Sequence, residues 1–256
     1  MRLKRIRPGI LPGLITLVAF FLLWKVVSTF FLPAFLPGPV ELLGRIIEVF
    51  SKGAAYLVVW KTFYRILMGL ILSMLIGTGI GLGMGLRRHI EAFFDSWIMV
   101  LLTFPAIGWA FLSILWFGIT DLVPIMTIVL IVFPFVAMNV WEGTKAMDKE
   151  LLDMASAYGA NRRLTIRKVL IPQLMPYLFS SLQIAFALSW KIALVGEAFG
   201  VSSGVGRELF YWFQDIRVDM MLAWGVSFML VMVFIDVLVF RWWQRRSFAW
   251  RHQPGV

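Results

Sequence analysis

Six stretches of this chain are too apolar to be left in water, and they constrain its fold more than any other feature. They cover residues 10–32, about 62–86, about 93–117, about 123–141, about 177–199 and about 220–240. Each is close to the roughly 20 residues a helix needs to cross the hydrocarbon core of a bilayer. Together they take more than half of the 256 residues, and the connections between them are mostly short. Composition agrees: 61% of the residues are hydrophobic and 15% are charged, against about 45–50% and about 25% in a soluble domain. A soluble globular fold is excluded, and so is disorder, which needs low hydrophobicity. In lipid every backbone polar group must be satisfied internally, so apolar runs of this length are helices. The expected fold is all-α and polytopic, with six transmembrane helices. A basic N-terminus covers residues 1–9, the membrane domain 10–241 and a basic C-terminus 242–256.

The net charge of +10 first raises the question of nucleic acid. The placement of the bases answers it. With the N-terminus in the cytoplasm, sixteen of the 24 lysines and arginines fall on the cytoplasmic side. They are Arg2, Lys4, Arg5 and Arg7; Arg87 and Arg88; Lys145, Lys149, Arg162, Arg163, Arg167 and Lys168; and Arg241, Arg245, Arg246 and Arg251. Six fall outside (Arg45, Lys52, Lys61, Arg65, Arg207 and Arg217), and Lys25 and Lys191 lie within spans. That asymmetry obeys the positive-inside rule, and anionic lipid headgroups account for the base without nucleic acid. Trp141, Trp212, Trp242, Trp243 and Trp250 fall near span ends, where amphipathic rings sit at headgroup level. The segment MRLKRIR resembles the basic region of a signal peptide, but the run after it is long and lacks a small-residue cleavage site. It is expected to be a retained first helix.

Between the first two spans, Val40, Leu43, Ile46, Ile47 and Phe50 recur at helical spacing, which points to an interfacial helix on the outer surface. In the second span Gly77, Gly81 and Gly85 are four apart, with Gly79 and Gly83 on another face. Small residues at that spacing let helices approach closely in lipid. Pro105 and Gly108 are expected to break or kink the third span near mid-membrane.

The segment from 142 to 176 is the outlier, being polar, basic and cytoplasmic. Met147, Leu151, Met154, Ala155 and Tyr158 form one helical stripe, and Gly159 supplies a stop. A second short helix over residues 161–169 is expected from an Asn161 cap, ending before Pro172. The expected result is a helix–turn–helix knob, with Ala155 and Ala157 small enough to let a partner approach.

The knob resembles a motif of the ATP-binding-cassette importer permeases, E-A-A-x-x-x-G, nine residues, then I-x-L-P. This chain has Asp153-Met154-Ala155, Gly159, nine residues, then Val169-Leu170-Ile171-Pro172. Ala155, Gly159 and Pro172 match by identity, Asp153, Val169 and Ile171 are conservative changes, and Met154 departs from alanine. It lies before the penultimate span, as in that family. LPGPVELL, TFYRILMGLILSMLIGTGIGLGMGL, Asp95, FPAIGWAFLSILWFGI and SWKIALVGEAFGVSSGVG resemble the branch that carries nitrate, bicarbonate, taurine and alkanesulfonates. That branch also includes carriers of thiamine precursors or other vitamins.

The resemblance implies a type I importer permease that pairs with a second copy or homologue. It also implies a cytoplasmic ATPase dimer and a periplasmic or lipid-anchored solute-binding protein. ATP and magnesium would sit on the ATPase, with no cofactor on this chain, and the solute would be a small anion. Asp153 to Gly159, with Ala157 and Tyr158, would seat in the ATPase, and Arg162 and Arg163 would meet acidic ATPase surface or lipid. Candidates for the solute pathway are Pro105, Trp109, Trp190, Lys191, Glu197 and Asp236, because charges within spans are costly and face a partner or a cavity. Lys191 is a counter-charge for solute, a structural partner of Asp236 or Glu197, or a side chain that snorkels to the interface. Ser202, Ser203, Gly204 and Gly206 form an outer loop that either closes the pathway or meets the binding protein.

Two rival classes are weaker. Only two histidines occur, His89 in a turn and His252 in the tail, and no Walker A pattern is present, which argues against catalysis by this chain. An ion-driven secondary carrier commonly shows inverted repeats, and none is visible.

Overall fold

The computed structural model describes residues 10–51 and 53–241. The expectations on residues 1–9, Lys52 and 242–256, including Trp242, Trp243, Trp250 and His252, lie outside the described residues. Within them the chain is helical, in the order α1 (Ile10–Ser28), α2 (Pro39–Ser51), α3 (Ala54–Leu86), α4 (Arg88–Thr103), α5 (Ala106–Phe117), α6 (Leu122–Lys145), α7 (Lys149–Ala157), α8 (Arg162–Thr165), α9 (Ile171–Gly200), α10 (Val205–Gln214) and α11 (Val218–Asp236). Four continuous helices are long and apolar enough to cross a membrane. They are α3, α6, the run Arg162–Gly200 that contains α9, and the run Val218–Phe240 that contains α11. The expected third span is a pair, α4 and α5, bent by 100°. The first is α1, a shorter apolar helix. Six uniform spans are therefore replaced by four long helices, one broken pair and one short helix among the described residues.

The run 54–60 extends α3 instead of forming a separate interfacial segment. The glycines of α3 then set its packing. A Cβ at Gly69 would strike Ile128, at Gly77 Val136, at Gly81 the Ala137 carbonyl and Val140, and at Gly85 Thr144. All of these partners lie on α6, so α3 and α6 approach along a seam that only hydrogen can occupy. Gly79 faces open space, and Gly83 meets Ile90 of α4. A second seam joins α6 to α9. Gly143 lies against Tyr177, Gly196 against Pro124 and Gly200 against Val123, which fixes an antiparallel register. The middle helix α6 is the most buried of the three. Ser73, Thr127, Thr144 and Ser181 inside these helices each donate to the carbonyl four residues back, whereas the buried Ser189 hydroxyl of α9 has no partner among the described residues.

The outer elements hold α11 in place. Arg45 of α2 reaches Asp219 at 2.9 Å, Arg217 also grips Asp219 at 2.9 Å, and the Asp219 amide donates to the Ala34 carbonyl. On α2, Leu42 and Val49 are buried, while Val40, Leu43 and Ile47 of the expected stripe are exposed. Ile46 and Phe50 of that stripe pack against the core beside Leu42 and Val49, so the inward face is rotated from the expected stripe and overlaps it. Lys25 of α1 lies 4.0 Å from Glu41, and the Trp24 indole donates to the Pro37 carbonyl.

If the α3–α6 seam holds the bundle, Gly81→Leu should destabilise it by about 1–3 kcal/mol or more through overpacking. Gly79→Leu should be tolerated. Thermal unfolding in detergent checks the pair, and equal losses at both positions would contradict the seam.

Candidate functional site

Two regions concentrate chemistry. The first is the knob between α6 and α9. Asp148 begins α7, its carboxylate accepting from the Glu150 amide at 2.9 Å, while its own amide donates to Gln173 Oε1 on α9 at 2.8 Å. At the other end the Ala160 amide donates to the Ala155 carbonyl at 2.9 Å and the Gly159 amide to Ser156 at 3.0 Å. Gly159 has a φ of +68°, the left-handed position this helix stop requires. Asn161 then caps the next turn, its side chain accepting from the Leu164 amide at 2.9 Å. That cap matches expectation, but the expected short helix does not end before Pro172. A π turn over Ile166–Leu170 carries the chain directly into α9. Proline has no N–H to give and crowds the preceding turn; the widened turn lies immediately before Pro172 and the helix continues through it.

The knob presents a mixed surface. Leu151, Met154 and Tyr158 are exposed along one side of α7, Tyr158 at 85%. Asp153, Ala157, Gly159, Arg162, Arg163, Arg167, Lys168, Ile171 and Pro172 are exposed as well, with Val169 half-buried. Ala155 differs: it is 7% exposed. It is covered by its own chain, where α7 meets the π turn that follows it. A cleft of about 460 Å³ runs between α7 and the base of α9, lined by Leu151, Met154, Val169, Pro172 and Tyr177 among others.

The second region is at the opposite end. Glu197 of α9 is fully buried and Arg65 of α3 is 2% exposed. Arg65 Nη1 lies 2.5 Å from Glu197 Oε1 and 2.7 Å from the Ser203 carbonyl. Its Nη2 lies 2.5 Å from Asp121 Oδ1, just before α6. The second Glu197 oxygen accepts from Thr62 Oγ1 and the Gly206 amide, both at 2.9 Å, and Thr62 in turn accepts from the Val205 amide. One guanidinium thus ties α3, α6, α9 and the turn before α10. Gly204 has a φ of +145°, and a Cβ there would collide with Glu197 and Arg65. Lys61 adds a 3.2 Å bond to Ser203. Just beyond, burial pushes the Glu208 carboxyl of α10 above the usual carboxylate range.

The expected pathway residues separate. Glu197 is not on an accessible face, because both of its oxygens are taken. Lys191 pairs with neither Asp236 nor Glu197; it is exposed, with Nζ 5.5 Å from the Trp190 ring. Trp190 packs on Phe228 of α11. Asp236 is half-buried. Phe104 and Pro105 are extended between α4 and α5, and the Trp109 ring lies tilted against Phe104 with centroids 4.7 Å apart. Gly108 lies inside α5, where a Cβ would meet that Phe104 ring, so the break is at Pro105 alone. Residues missed from sequence are Arg65, Thr62, Asp121 and helix α10. Arg65 was assigned to the outer surface, yet it sits inside an apolar run. A charge in such a run was the available signal.

Comparison with known proteins follows this geometry. The family model described as binding-protein-dependent transport system inner membrane component matches residues 69–249. The taurine transport system permease protein TauC of Escherichia coli K12 is 26% identical over 92% of this chain and 88% of its own length. A putative aliphatic sulfonates transport permease protein, SsuC of Bacillus subtilis 168, is 26% identical over 97% of this chain and 90% of its own. In structure, the chain resembles a chain of the inward-facing MetNI methionine ABC transporter, with TM-score 0.59 and 19% identity over 72% of this chain and 93% of that one.

Removing one member of a buried ion pair strands the other and costs about 3–5 kcal/mol. Arg65→Met and Glu197→Leu should each destabilise the protein by about that much, and the double variant by clearly less than the sum. A double-variant cycle by thermal unfolding measures the coupling; simple additivity would contradict the clamp.

Proposed function

Since the chain belongs to the family of binding-protein-dependent transport system inner membrane components and is thus the membrane permease of a solute importer, we propose that α7 is the element through which a cytoplasmic ATPase drives it. The observation that carries this is the exposed row Leu151, Met154 and Tyr158 on a helix otherwise surrounded by charge. An apolar row at i, i+3 and i+7 suits a helix seated in a groove. Asp153 and Ala157 flank that row. Arg162, Arg163, Arg167 and Lys168 border it and face acidic protein or lipid headgroups. Val169, Ile171 and Pro172 form the base on which the knob stands.

The proposed assembly has two permeases, this chain with a second copy or a homologue, and an ATPase dimer that holds ATP and magnesium. A solute-binding protein delivers cargo from outside. The termini and the knob face the cytoplasm. Nucleotide-driven closure of the ATPases pushes α7, and the Asp148–Gln173 bond and the packing of α7 on the π turn carry the push into α9. The spans then move as a body between inward-open and outward-open states, as alternating access requires. The relatives named for taurine and aliphatic sulfonates favour a small sulfonate as solute. A vitamin precursor is the second reading, favoured by a formylaminopyrimidine permease, ThiX, that is 26% identical over 68% of this chain.

Gly159 cannot become proline without losing its left-handed φ. In vesicles containing the assembled transporter, Gly159→Pro should insert normally yet lose ATP-driven uptake. Solute-stimulated ATP hydrolysis should fall at least about tenfold with it. Unimpaired solute-stimulated hydrolysis in that variant, or wild-type uptake driven by an ion gradient without ATP, would remove the reading.

A further inference from the structure

We propose that the accessible side of α9, along Ser180, Gln183, Ala187 and Lys191, lines the solute pathway, and that Lys191 supplies the positive charge that admits an anion. The inference deepens the importer reading above and rests on it.

Helix α9 has two unlike sides. Ser181, Ala185, Ser189, Ala193, Gly196 and Gly200 are buried, and Gly196 and Gly200 of that row lie against α6. Roughly opposite, at spacings of three, four and four, run Ser180, Gln183, Ala187 and Lys191. The first three are half-buried and Lys191 is exposed. Depth follows from the register with α6. Gly196 lies against Pro124 and Gly143 against Tyr177, so residues 177–196 of α9 run alongside a helix that itself crosses the membrane. Ser180 to Lys191 therefore lie within the bilayer, with Ala187 near the middle.

Three polar groups on one accessible side at that depth cannot be turned toward hydrocarbon. An ammonium there faces water, a partner or a solute. Among the described residues, Ser180 and Gln183 have no hydrogen-bond partner, although Ser181 next door satisfies itself on the Tyr177 carbonyl. Lys191 has no ion-pair partner among them either, and only the Trp190 ring lies beside it. The nearest acid along the same helix, Glu197, is withdrawn by Arg65. Removing that carboxylate from competition leaves the ammonium available. An unneutralised cation on a side that Ser180, Gln183 and Ala187 share with the exposed Ile184, within low-dielectric walls, attracts an anion and repels a cation. A monoanionic sulfonate carries the complementary charge, and Ser180 and Gln183 offer neutral donors farther toward the cytoplasm.

The chain contains no cysteine, so single cysteines can be placed without background from this chain, and labelling is read on this chain after it is separated from its partners. In the assembled transporter in membrane vesicles, Gln183→Cys and Ala187→Cys should react with small water-soluble thiol reagents. Leu75→Cys on α3 and Phe234→Cys on α11, both exposed and apolar, should react at least about tenfold more slowly, as expected where no water reaches. At Ala187→Cys a sulfonate-bearing methanethiosulfonate should outpace its trimethylammonium analogue. Lys191→Met should shift that ratio by about tenfold toward the cation, and Lys191→Arg should preserve it. Reaction at 183 and 187 no faster than at 75 and 234 would overturn the pathway assignment. So would a spontaneous disulfide between two copies at Ala187→Cys without reagent reaction, since the side would then be a packing surface. A reagent ratio indifferent to Lys191→Met would overturn the role of the charge. ATP does not enter this readout, so its failure is separable from failure of ATP-driven uptake.

Discussion

The structure turns on a single guanidinium. Arg65 reaches α9 through Glu197, the start of α6 through Asp121, and the turn before α10 through the Ser203 carbonyl. Few interactions in a membrane bundle are so directional, because lipid offers helices no hydrophobic reason to associate with one another rather than with acyl chains. Packing and hydrogen bonds must therefore decide which ends meet. A buried ion pair is weak evidence for net stability. Its effect here is on specificity: alternatives that separate Arg65 from Glu197 leave a bare charge at membrane depth. Below this clamp, two glycine seams hold the same three helices together. Gly77, Gly81 and Gly85 close α3 on α6, and Gly143, Gly196 and Gly200 close α6 on α9. Clamp and seams together make α3, α6 and α9 a single stiff body.

That stiffness explains how two distant ends can be linked. The knob is attached to α9 by the Asp148–Gln173 hydrogen bond, and a continuous helical run leads from the knob to Gly200. In the proposed coupling, a push on α7 reaches the far end of α9 along that run. The break in the bundle lies elsewhere, in the extended residues Phe104 and Pro105 between α4 and α5. The assignment of charges follows from the same plan. Glu197 belongs to the clamp, and this leaves Lys191, one and a half turns away, without an acidic neighbour on its own helix.

Much of this was legible in the sequence, and what was not has a physical reason. Apolar length located the long helices, since hydrocarbon permits no other backbone solution. Glycine spacing located the α3 seam, and Asn161 and Gly159 announced their turns through local hydrogen bonds and a left-handed φ. The failures are tertiary. Residues 161–169 contain a cap and are followed by a proline, and nothing local says that a π turn will carry the helix onward. Pro105 announced the break in the third span, but hydropathy does not say that the bend there is 100°. Ala155 looked like a contact for a partner because smallness permits close approach from either side. Arg65, near the start of a run, was assigned to the surface, although Glu197 at the same level of another run already called for a counter-charge. Whether two such charges meet depends on helix order, which periodicity does not encode.

The central claim is that α3, α6 and α9 move as one body between the knob and the outer face. The most direct test places spin labels at exposed Ala157 on the knob and Thr120 on the outer loop of one permease in the assembled transporter, and reads their separation with and without ATP. The account predicts a distance unchanged to within about 2 Å, a shift no larger than that of packed helices sliding, while the distance from Thr120 to its counterpart on the second permease changes by several times as much. A knob-to-outer-loop distance that changes with ATP as much as the distance between permeases would contradict it.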